Sequence, residues 1–116
     1  MKYIVLKSKI HGCIVTENKL EYEGSITLDR DLMDAARLVP YEKVHVLNVT
    51  NGARFETYVI EGQRGSREVC INGAAARLAY PGDKLIVLSY TMVDEEDLVG
   101  YSPVIVRTDD QNRLIK

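Results

Sequence analysis

The sequence has no tryptophan, one phenylalanine, three prolines and only two cysteines among its 116 residues. Cys13 and Cys70 lie far apart and neither belongs to a Cys-x-x-Cys pair, so we expect two free thiols in a reducing compartment. Apolar runs such as residues 85–88 fall far short of the roughly 18 residues that a membrane-spanning helix needs. We therefore expect a cytoplasmic protein without a membrane segment.

A large net charge of either sign is also absent. The 15 Lys and Arg residues oppose 17 Asp and Glu residues, for a formal net charge of −2. This balance provides no general attraction to nucleic acids or anionic membranes, so neither is an expected partner. The length predicts a single domain, residues 1–116, that is too small for a (β/α)₈ barrel or a two-domain cofactor fold. Any chemistry must be compact, and we expect a small-molecule substrate.

Short segments with alternating apolar residues dominate the chain and predict strands. These segments are residues 3–15, 20–28, 44–50, 53–60, 69–71, 84–93, 103–108 and 113–115. Glu23-Gly24-Ser25 interrupts the second segment, because glycine is typical of a turn or bulge. Asn51-Gly52 predicts a hairpin closed by a two-residue type I′ turn between the third and fourth segments.

Helical patterns are limited to three short segments. In the longest, the apolar residues recur every three or four positions: Leu32, Ala35, Ala36 and Val39. Asp29 and Asp31 are candidate N-caps, and Pro40 ends the pattern. Residues 73–78 and 94–98 each predict a single helical turn. Many short strands with two or three brief helices predict a mainly β fold, a small β-barrel.

The first predicted strand carries zinc-binding residue types. Alternation places Lys9, His11 and Cys13 on one face. No Cys-x-x-Cys or His-x-x-x-His pair is present, so no metal site is predicted. His11 and Cys13 would stand about 7 Å apart on that face, too far for the histidine to activate the thiol directly. The chain also lacks a nucleophile elbow, a P-loop and a dinucleotide fingerprint.

Two Gly-Ser pairs occur, Gly24-Ser25 and Gly65-Ser66, and either alone is uninformative because this dipeptide is common in loops. Further motifs surround them in a fixed order: KSKIH at 7–11, YEGS at 22–25, DLMDAA at 31–36, NGAR at 51–54, TY at 57–58, INGAAA at 71–76 and PGD at 81–83. Over nearly the whole chain, these motifs resemble the bacterial aspartate 1-decarboxylase family of pyruvoyl-dependent enzymes.

The resemblance implies a double-psi β-barrel and a homotetramer whose active sites lie between neighbouring subunits. It also implies self-cleavage between Gly24 and Ser25, into residues 1–24 and 25–116. In that chemistry the Ser25 hydroxyl attacks the Gly24 carbonyl, and β-elimination followed by hydrolysis leaves a pyruvoyl group at residue 25. Gly65-Ser66 is expected to stay intact. Some members of the family need an accessory maturation protein and others cleave unaided, and no residue here distinguishes the two cases.

The implied cofactor is this pyruvoyl group, formed covalently from Ser25, which takes the place of pyridoxal phosphate; no metal is implied. The implied reaction converts L-aspartate to β-alanine and CO2, a step towards pantothenate and coenzyme A. Two alternatives stay open. The chain could be a noncatalytic β-barrel binding module that has lost processing, or a pyruvoyl decarboxylase of another dicarboxylic amino acid, such as L-glutamate. Cys13 is expected to be structural.

The resemblance also implies the site residues. Thr57 is the candidate donor to the oxyanion that develops on the Gly24 carbonyl during cleavage. Tyr58 is the candidate acid that protonates the substrate α-carbon, and it shares a strand face with Arg54. Lys9 and Arg54 are the candidate cations for the substrate carboxylates. The other positions implied to line the substrate are His11, Thr57, Asn72, Gly73, Ala74 and Ala75.

Overall fold

A computed structural model describes residues 1–115 as nine strands, one short α-helix and two 3₁₀ helices. The strands are β1 (Lys2–Ile14), β2 (Glu17–Lys19), β3 (Ser25–Asp29), β4 (Lys43–Asn48), β5 (Arg54–Gly62), β6 (Val69–Asn72), β7 (Lys84–Asp94), β8 (Val104–Thr108) and β9 (Leu114–Ile115). Helix α1 spans Arg30–Ala35, and the 3₁₀ helices span Gly73–Arg77 and Glu95–Asp97. None of these helices is long and apolar enough to cross a membrane. The predicted mainly β fold with short helices is confirmed.

All nine strands join one mixed sheet in the order β2-β6-β3-β5-β4-β7-β1-β8-β9. The pairs β1/β8, β2/β6 and β3/β5 are parallel, and the remaining neighbours are antiparallel. Parallel neighbours need long crossover connections, so this order brings together segments that are distant in the sequence. In particular, β3 lies between β5 and β6. The arrangement is consistent with a small β-barrel.

The core is a continuous aliphatic cluster to which alternate residues of the strands contribute, together with one face of α1. Among its fully buried side chains are Ile10, Ile26, Leu28, Leu32, Met33, Val59, Ile71 and Leu85. Asp29 caps α1 by accepting a hydrogen bond from the Asp31 N–H at 2.8 Å. The same carboxylate accepts from the Gly65 and Arg67 N–H groups, so it also holds the 63–68 loop against the helix.

Helix α1 is shorter than the sequence pattern predicts. It ends at Ala35, and Arg37 adopts a left-handed φ of 58° that turns the chain before Pro40 is reached. Val39 is 57% exposed and lies outside the helix. The prediction that Val39 extends the apolar face was wrong, because the helix ends one turn before the proline that was expected to stop it.

The β4–β5 hairpin is confirmed, but its predicted two-residue turn was wrong. Four residues, 49–52, connect Asn48 to Ala53, and the Gly52 N–H donates to the Asn48 carbonyl at 2.8 Å. Within this loop only Gly52 has a positive φ, whereas a type I′ turn requires positive φ at both central residues. The Asn48 side chain accepts from the N–H groups of Thr50 and Asn51, which stabilises the longer loop.

Lys9, His11 and Cys13 do not share a face. The β1–β7 register shifts between His11 and Cys13, and Gly12 occupies this bulge with a φ of 100°. The bulge turns Cys13 into the core, where it is 0% exposed, while Lys9 and His11 stay half-buried on the other face. Burial raises the pKa of the Cys13 thiol to about 12, as expected for an inert packing residue.

Candidate active site

The predicted extended segment 20–28 is a strand only from Ser25 onward. Residues 20–24 form an irregular turn, and Ser25, which is 1% exposed, is the first residue of β3. Ser25 pairs with Asn72 of β6, while the next residue, Ile26, pairs with Val59 of β5. Ser25 therefore stands where the turn enters the sheet, between two strands that come much later in the chain.

The Ser25 hydroxyl has a hydrogen-bond partner on each side. Asn72 Nδ2 donates to Ser25 Oγ at 2.9 Å, and the hydroxyl donates to the Glu23 carbonyl at 3.2 Å. Asn72 Nδ2 also donates to Thr27 Oγ1 at 3.0 Å, which fixes the amide between the two hydroxyls. An N–H group aimed at a hydroxyl oxygen stabilises negative charge that develops there. The structure thus places Asn72 against the serine that the sequence predicts to react.

A cavity of about 520 Å³ opens beside Ser25. Its lining residues are Tyr22, Glu23, Ser25, Pro40, Tyr41, Tyr58, Ile60 and Glu61. The β3–β5 register pairs Thr27 with Ile60, so Ser25 and Tyr58, each two residues earlier, lie on the same face of the sheet. The cavity has the size of a small-molecule site, and it brings the predicted nucleophile and the predicted acid to one space.

Glu42 holds in place the part of the cavity wall that Tyr41 forms. Lys7 Nζ donates to both oxygens of the Glu42 carboxylate at 2.9 and 2.8 Å, and the Val39 N–H and the Ser89 hydroxyl also donate to it. Burial alone would raise the pKa of Glu42, but the hydrogen bonds from Lys7 and Ser89 outweigh it and hold the pKa below its usual value. These hydrogen bonds to Glu42 fix the turn that carries Tyr41. The Tyr41 ring contacts Tyr58, with 6.2 Å between the ring centroids.

The backbone of Gly24 is pressed against Gly73. A Cβ on Gly73 would come within 2.6 Å of Gly24 Cα and 2.7 Å of Gly24 N, and Gly73 has a φ of 75°. In contrast, a Cβ on Gly24 would meet nothing within 4 Å, and Gly24 does not have a positive φ. The folded chain therefore needs glycine at 73 for close approach, and this residue sets the position of the peptide unit before Ser25.

We expect Gly73→Ala to lower the free energy of unfolding by about 2 to 4 kcal/mol, because a backbone clash is added to an unfavourable φ. Gly52→Ala is the matched control, since Gly52 has a similar φ of 79° but its Cβ would meet nothing within 4 Å. The control should lose only about 1 kcal/mol. Urea unfolding of both variants measures the difference, and equal losses would contradict the close approach of Gly73 to Gly24.

Arg54 and Tyr58 lie on one face of β5, about 13 Å apart along the strand, as their spacing predicts. Thr57, between them, points to the opposite face. On β5, Thr57 comes two residues before Val59, the partner of Ile26 in β3. Thr57 therefore lies near the start of β3, on the other side of the sheet from Tyr58.

Lys9 and His11 lie on the same face as Arg54, but three strands away. Arg54 pairs with Leu47 of β4, which pairs with Ile86 of β7. Ile86 in turn pairs with His11 of β1. Three steps between strands separate Arg54 from His11 by about 14 Å, and Lys9 is two residues farther along β1. A single chain therefore spreads its candidate cations over an outer sheet face and does not gather them at Ser25.

The surroundings of His11 favour its neutral form. Partial burial and the positive charges of Lys9, Arg107 and Lys84 lower its pKa. Its Nδ1 is buried without a hydrogen-bond partner among residues 1–115. A neutral imidazole with an unused nitrogen is suited to bind a further polar group.

Ala74 and Ala75, which are predicted to line the substrate, follow Gly73 in the 3₁₀ helix. Because the bonds of this helix join residues three apart, the Ala74 N–H has no partner inside the helix. Sequence reasoning missed Cys70, whose thiol lies 3.2 Å from Asn72 Oδ1, and Glu42. Neither residue belongs to a recognisable spacing, and only the strand pairing and the chain turn reveal their contacts.

The comparisons with known proteins agree on one enzyme family, and the matches extend over nearly the whole chain. A family model described as "Aspartate decarboxylase" matches residues 1–115. Aspartate 1-decarboxylase of Dehalococcoides mccartyi is 54% identical over 112 residues, which cover 97% of this chain and 90% of that protein. The enzyme of the same name from Leptospira biflexa is 57% identical over 94% of this chain and 93% of its own length. The one from Thermoanaerobacter pseudethanolicus is 52% identical over 99% and 98%.

Proposed function

Since the chain belongs to the aspartate decarboxylase family, we propose that it decarboxylates L-aspartate to β-alanine with a pyruvoyl group made from its own Ser25. The family and its relatives make the chain a carboxy-lyase, and they favour neither a noncatalytic binding module nor a glutamate decarboxylase. The observation that carries the cofactor assignment is the buried Ser25 hydroxyl, fixed by Asn72 at the edge of a cavity that it shares with Tyr58.

The residues around Ser25 fit a pyruvoyl group at that position. Asn72 supplies a buried amide donor beside residue 25, and the cavity gives a small substrate access to it. A pyruvoyl group supplies a ketone that takes up the substrate amine and an adjacent amide carbonyl that helps to accept the electron pair left by CO2. Asn72 and Ala74 are the residues that would hold it, through the side-chain amide and the backbone N–H, with Ala75 next to them in the chain.

Cleavage begins when Ser25 Oγ attacks the Gly24 carbonyl carbon and the peptide bond becomes an ester. Gly73 lies against the Gly24 unit, and Asn72 stabilises the charge on Oγ as the hydroxyl proton leaves; the nitrogen of residue 25 takes up a proton when its bond to the Gly24 carbonyl carbon breaks. Thr57, on β5 near the start of β3, would be the donor to the carbonyl oxygen of Gly24. β-Elimination then releases the Gly24 carboxylate, and hydrolysis of residue 25 consumes water and releases ammonia.

The substrate is held by cations and protonated by Tyr58. Tyr58 lines the cavity together with Ser25, and its hydroxyl would deliver a proton to the α-carbon after CO2 leaves. Arg54 and Lys9 bind the two carboxylates, and the guanidinium of Arg54 allows two parallel hydrogen bonds. Because one chain spreads Arg54, Lys9 and His11 over an outer face, we place the complete site between subunits of a homotetramer.

The state of the two cysteines supports a cytoplasmic location for this enzyme. Cys13 and Cys70 are both free, in keeping with a reducing cytoplasm. There the β-alanine would serve pantothenate and coenzyme A synthesis.

Denaturing intact mass of the purified chain tests the proposal before any substrate is added. We expect two fragments, residues 1–24 and 25–116, the larger one lighter by one ammonia than a chain that starts with serine. A single uncut mass after prolonged warm incubation, both alone and together with a maturation protein of the family, would contradict the pyruvoyl assignment. A parallel assay with L-aspartate and L-glutamate tests the substrate, and faster turnover of glutamate would overturn aspartate as the preferred acid.

A further inference from the structure

Cys70 lies two residues before Asn72 on β6, and both side chains point to the face that carries Ser25. The β3–β6 register pairs Asn72 with Ser25 and Cys70 with Thr27. Cys70 is 1% exposed, and its thiol donates to Asn72 Oδ1 at 3.2 Å. A continuous hydrogen-bonded chain therefore runs from Cys70 through Asn72 to the predicted nucleophile.

The side-chain amide of Asn72 can present either its oxygen or its NH₂ group to Ser25, because the two ends have nearly the same shape. The Ser25 and Thr27 hydroxyls, at 2.9 and 3.0 Å from Nδ2, do not select between them, since a hydroxyl donates or accepts equally well. The Cys70 thiol does select, because sulfur is a weaker acceptor than a hydroxyl oxygen and the thiol hydrogen satisfies the buried amide oxygen. Without that donor, the oxygen would be better placed against the two hydroxyls.

The orientation of the amide matters for the reactivity of Ser25. With NH₂ towards Oγ, Asn72 stabilises the negative charge that develops as Ser25 attacks Gly24. With the oxygen towards Oγ, a carbonyl dipole would oppose that charge, and the serine proton would bond to Asn72 instead of the Glu23 carbonyl. The orientation seen in the structure is therefore the productive one.

The surroundings keep the Cys70 thiol protonated, as a donor requires. Burial and the charge of Glu17, helped by Glu68 and opposed by Lys19, raise its pKa to about 11. The nearest oxygens of both carboxylates lie within 4.8 Å of Sγ. At neutral pH the sulfur therefore carries its hydrogen.

We propose that Cys70 is a positioning residue for self-cleavage, which fixes the Asn72 amide so that its NH₂ group faces Ser25. The inference rests on the proposed cleavage at Gly24-Ser25. Cys70 does not touch the breaking bond, and it acts only through Asn72.

The test compares the rate of cleavage among variants at Cys70, followed by denaturing intact mass from freshly made uncut chain. Cys70→Ala removes the donor and should slow cleavage about tenfold, roughly the effect of losing one oriented hydrogen bond. Cys70→Ser keeps a group that can donate to the amide oxygen but can also accept, so it should cleave at a rate between those of the wild type and Cys70→Ala. Cys70→Val fills the space of the thiol without a donor and should be as slow as Cys70→Ala.

Cys13→Ala is the matched control, because Cys13 is equally buried but its thiol faces only the Leu85 carbonyl at 3.9 Å. It should cleave at the wild-type rate, and melting temperatures of all variants separate slow cleavage from loss of fold. Wild-type rates in Cys70→Ala or Cys70→Val would overturn the inference, as would a Cys70→Ser variant as slow as either. An uncut wild-type chain would instead overturn the proposed function, and the inference with it.

Discussion

A Ser25→Ala chain is expected to stay at full length and to form no β-alanine above background. Residue 25 is both the nucleophile of cleavage and the source of the pyruvoyl group, so one substitution removes both steps. The fold should survive, because Asn72 Nδ2 keeps its second acceptor, Thr27 Oγ1, when the Ser25 hydroxyl is lost. Intact mass and a β-alanine assay measure the two effects, and circular dichroism checks the fold.

Ser66→Ala is the matched control for this experiment. Ser66 also follows a glycine, but it is exposed, and its hydroxyl accepts only the Glu68 N–H at 3.2 Å. We expect the control chain to be cut after Gly24 and to turn over aspartate as the wild type does. Fragments from Ser25→Ala, or an uncut Ser66→Ala chain, would show that the wrong Gly-Ser pair has been assigned.

Tyr58→Phe should lower kcat for aspartate decarboxylation by about 10²- to 10⁴-fold, the usual contribution of a positioned acid. Cleavage should proceed normally, because the hydroxyl of Tyr58 is not among the hydrogen-bond partners of Ser25. The substitution keeps the ring that packs against Tyr41, so the cavity should keep its shape. Steady-state kinetics on fully cleaved protein measures the loss.

The control for Tyr58→Phe is Tyr80→Phe, which removes an exposed hydroxyl outside the cavity and should leave kcat unchanged. An unchanged kcat in Tyr58→Phe would mean that another group protonates the α-carbon. A block of cleavage in that variant would instead assign Tyr58 to maturation.

Local patterns predicted most elements of this fold because their signals are contained within a few residues. The hairpin around Gly52 and the single turns at 73–78 and 94–98 are examples. The bulge at Gly12 was missed, because it is defined by the pairing of β1 with β7, more than 70 residues away. The inward orientation of Cys13 was missed for the same reason, since alternation predicts which face of the sheet a side chain occupies only while the strand register is unbroken.

Less of the candidate site than of the fold was predicted from the sequence, and mainly through the family resemblance. Ser25 and Tyr58 followed from motifs, but their common cavity depends on the parallel pairing of β3 with β5. The contact of Asn72 with Ser25 joins strands 47 positions apart in the chain. Cys70 carried no signal, because a lone cysteine has no spacing that relates it to an amide on the same strand.

The place of β1 in the sheet determines what kind of molecule cleavage would leave. β1 lies between β7 and β8 and is paired with β7 along nearly all of its length, and β2 adds a further pairing to β6. Residues 1–24 would therefore stay bound after the cut, and one gene product would become a noncovalent heterodimer. Unfolding would then separate two molecules, so its midpoint would rise with protein concentration. Refolding would require the two pieces to meet again, so its rate would depend on protein concentration, unlike that of the uncut chain.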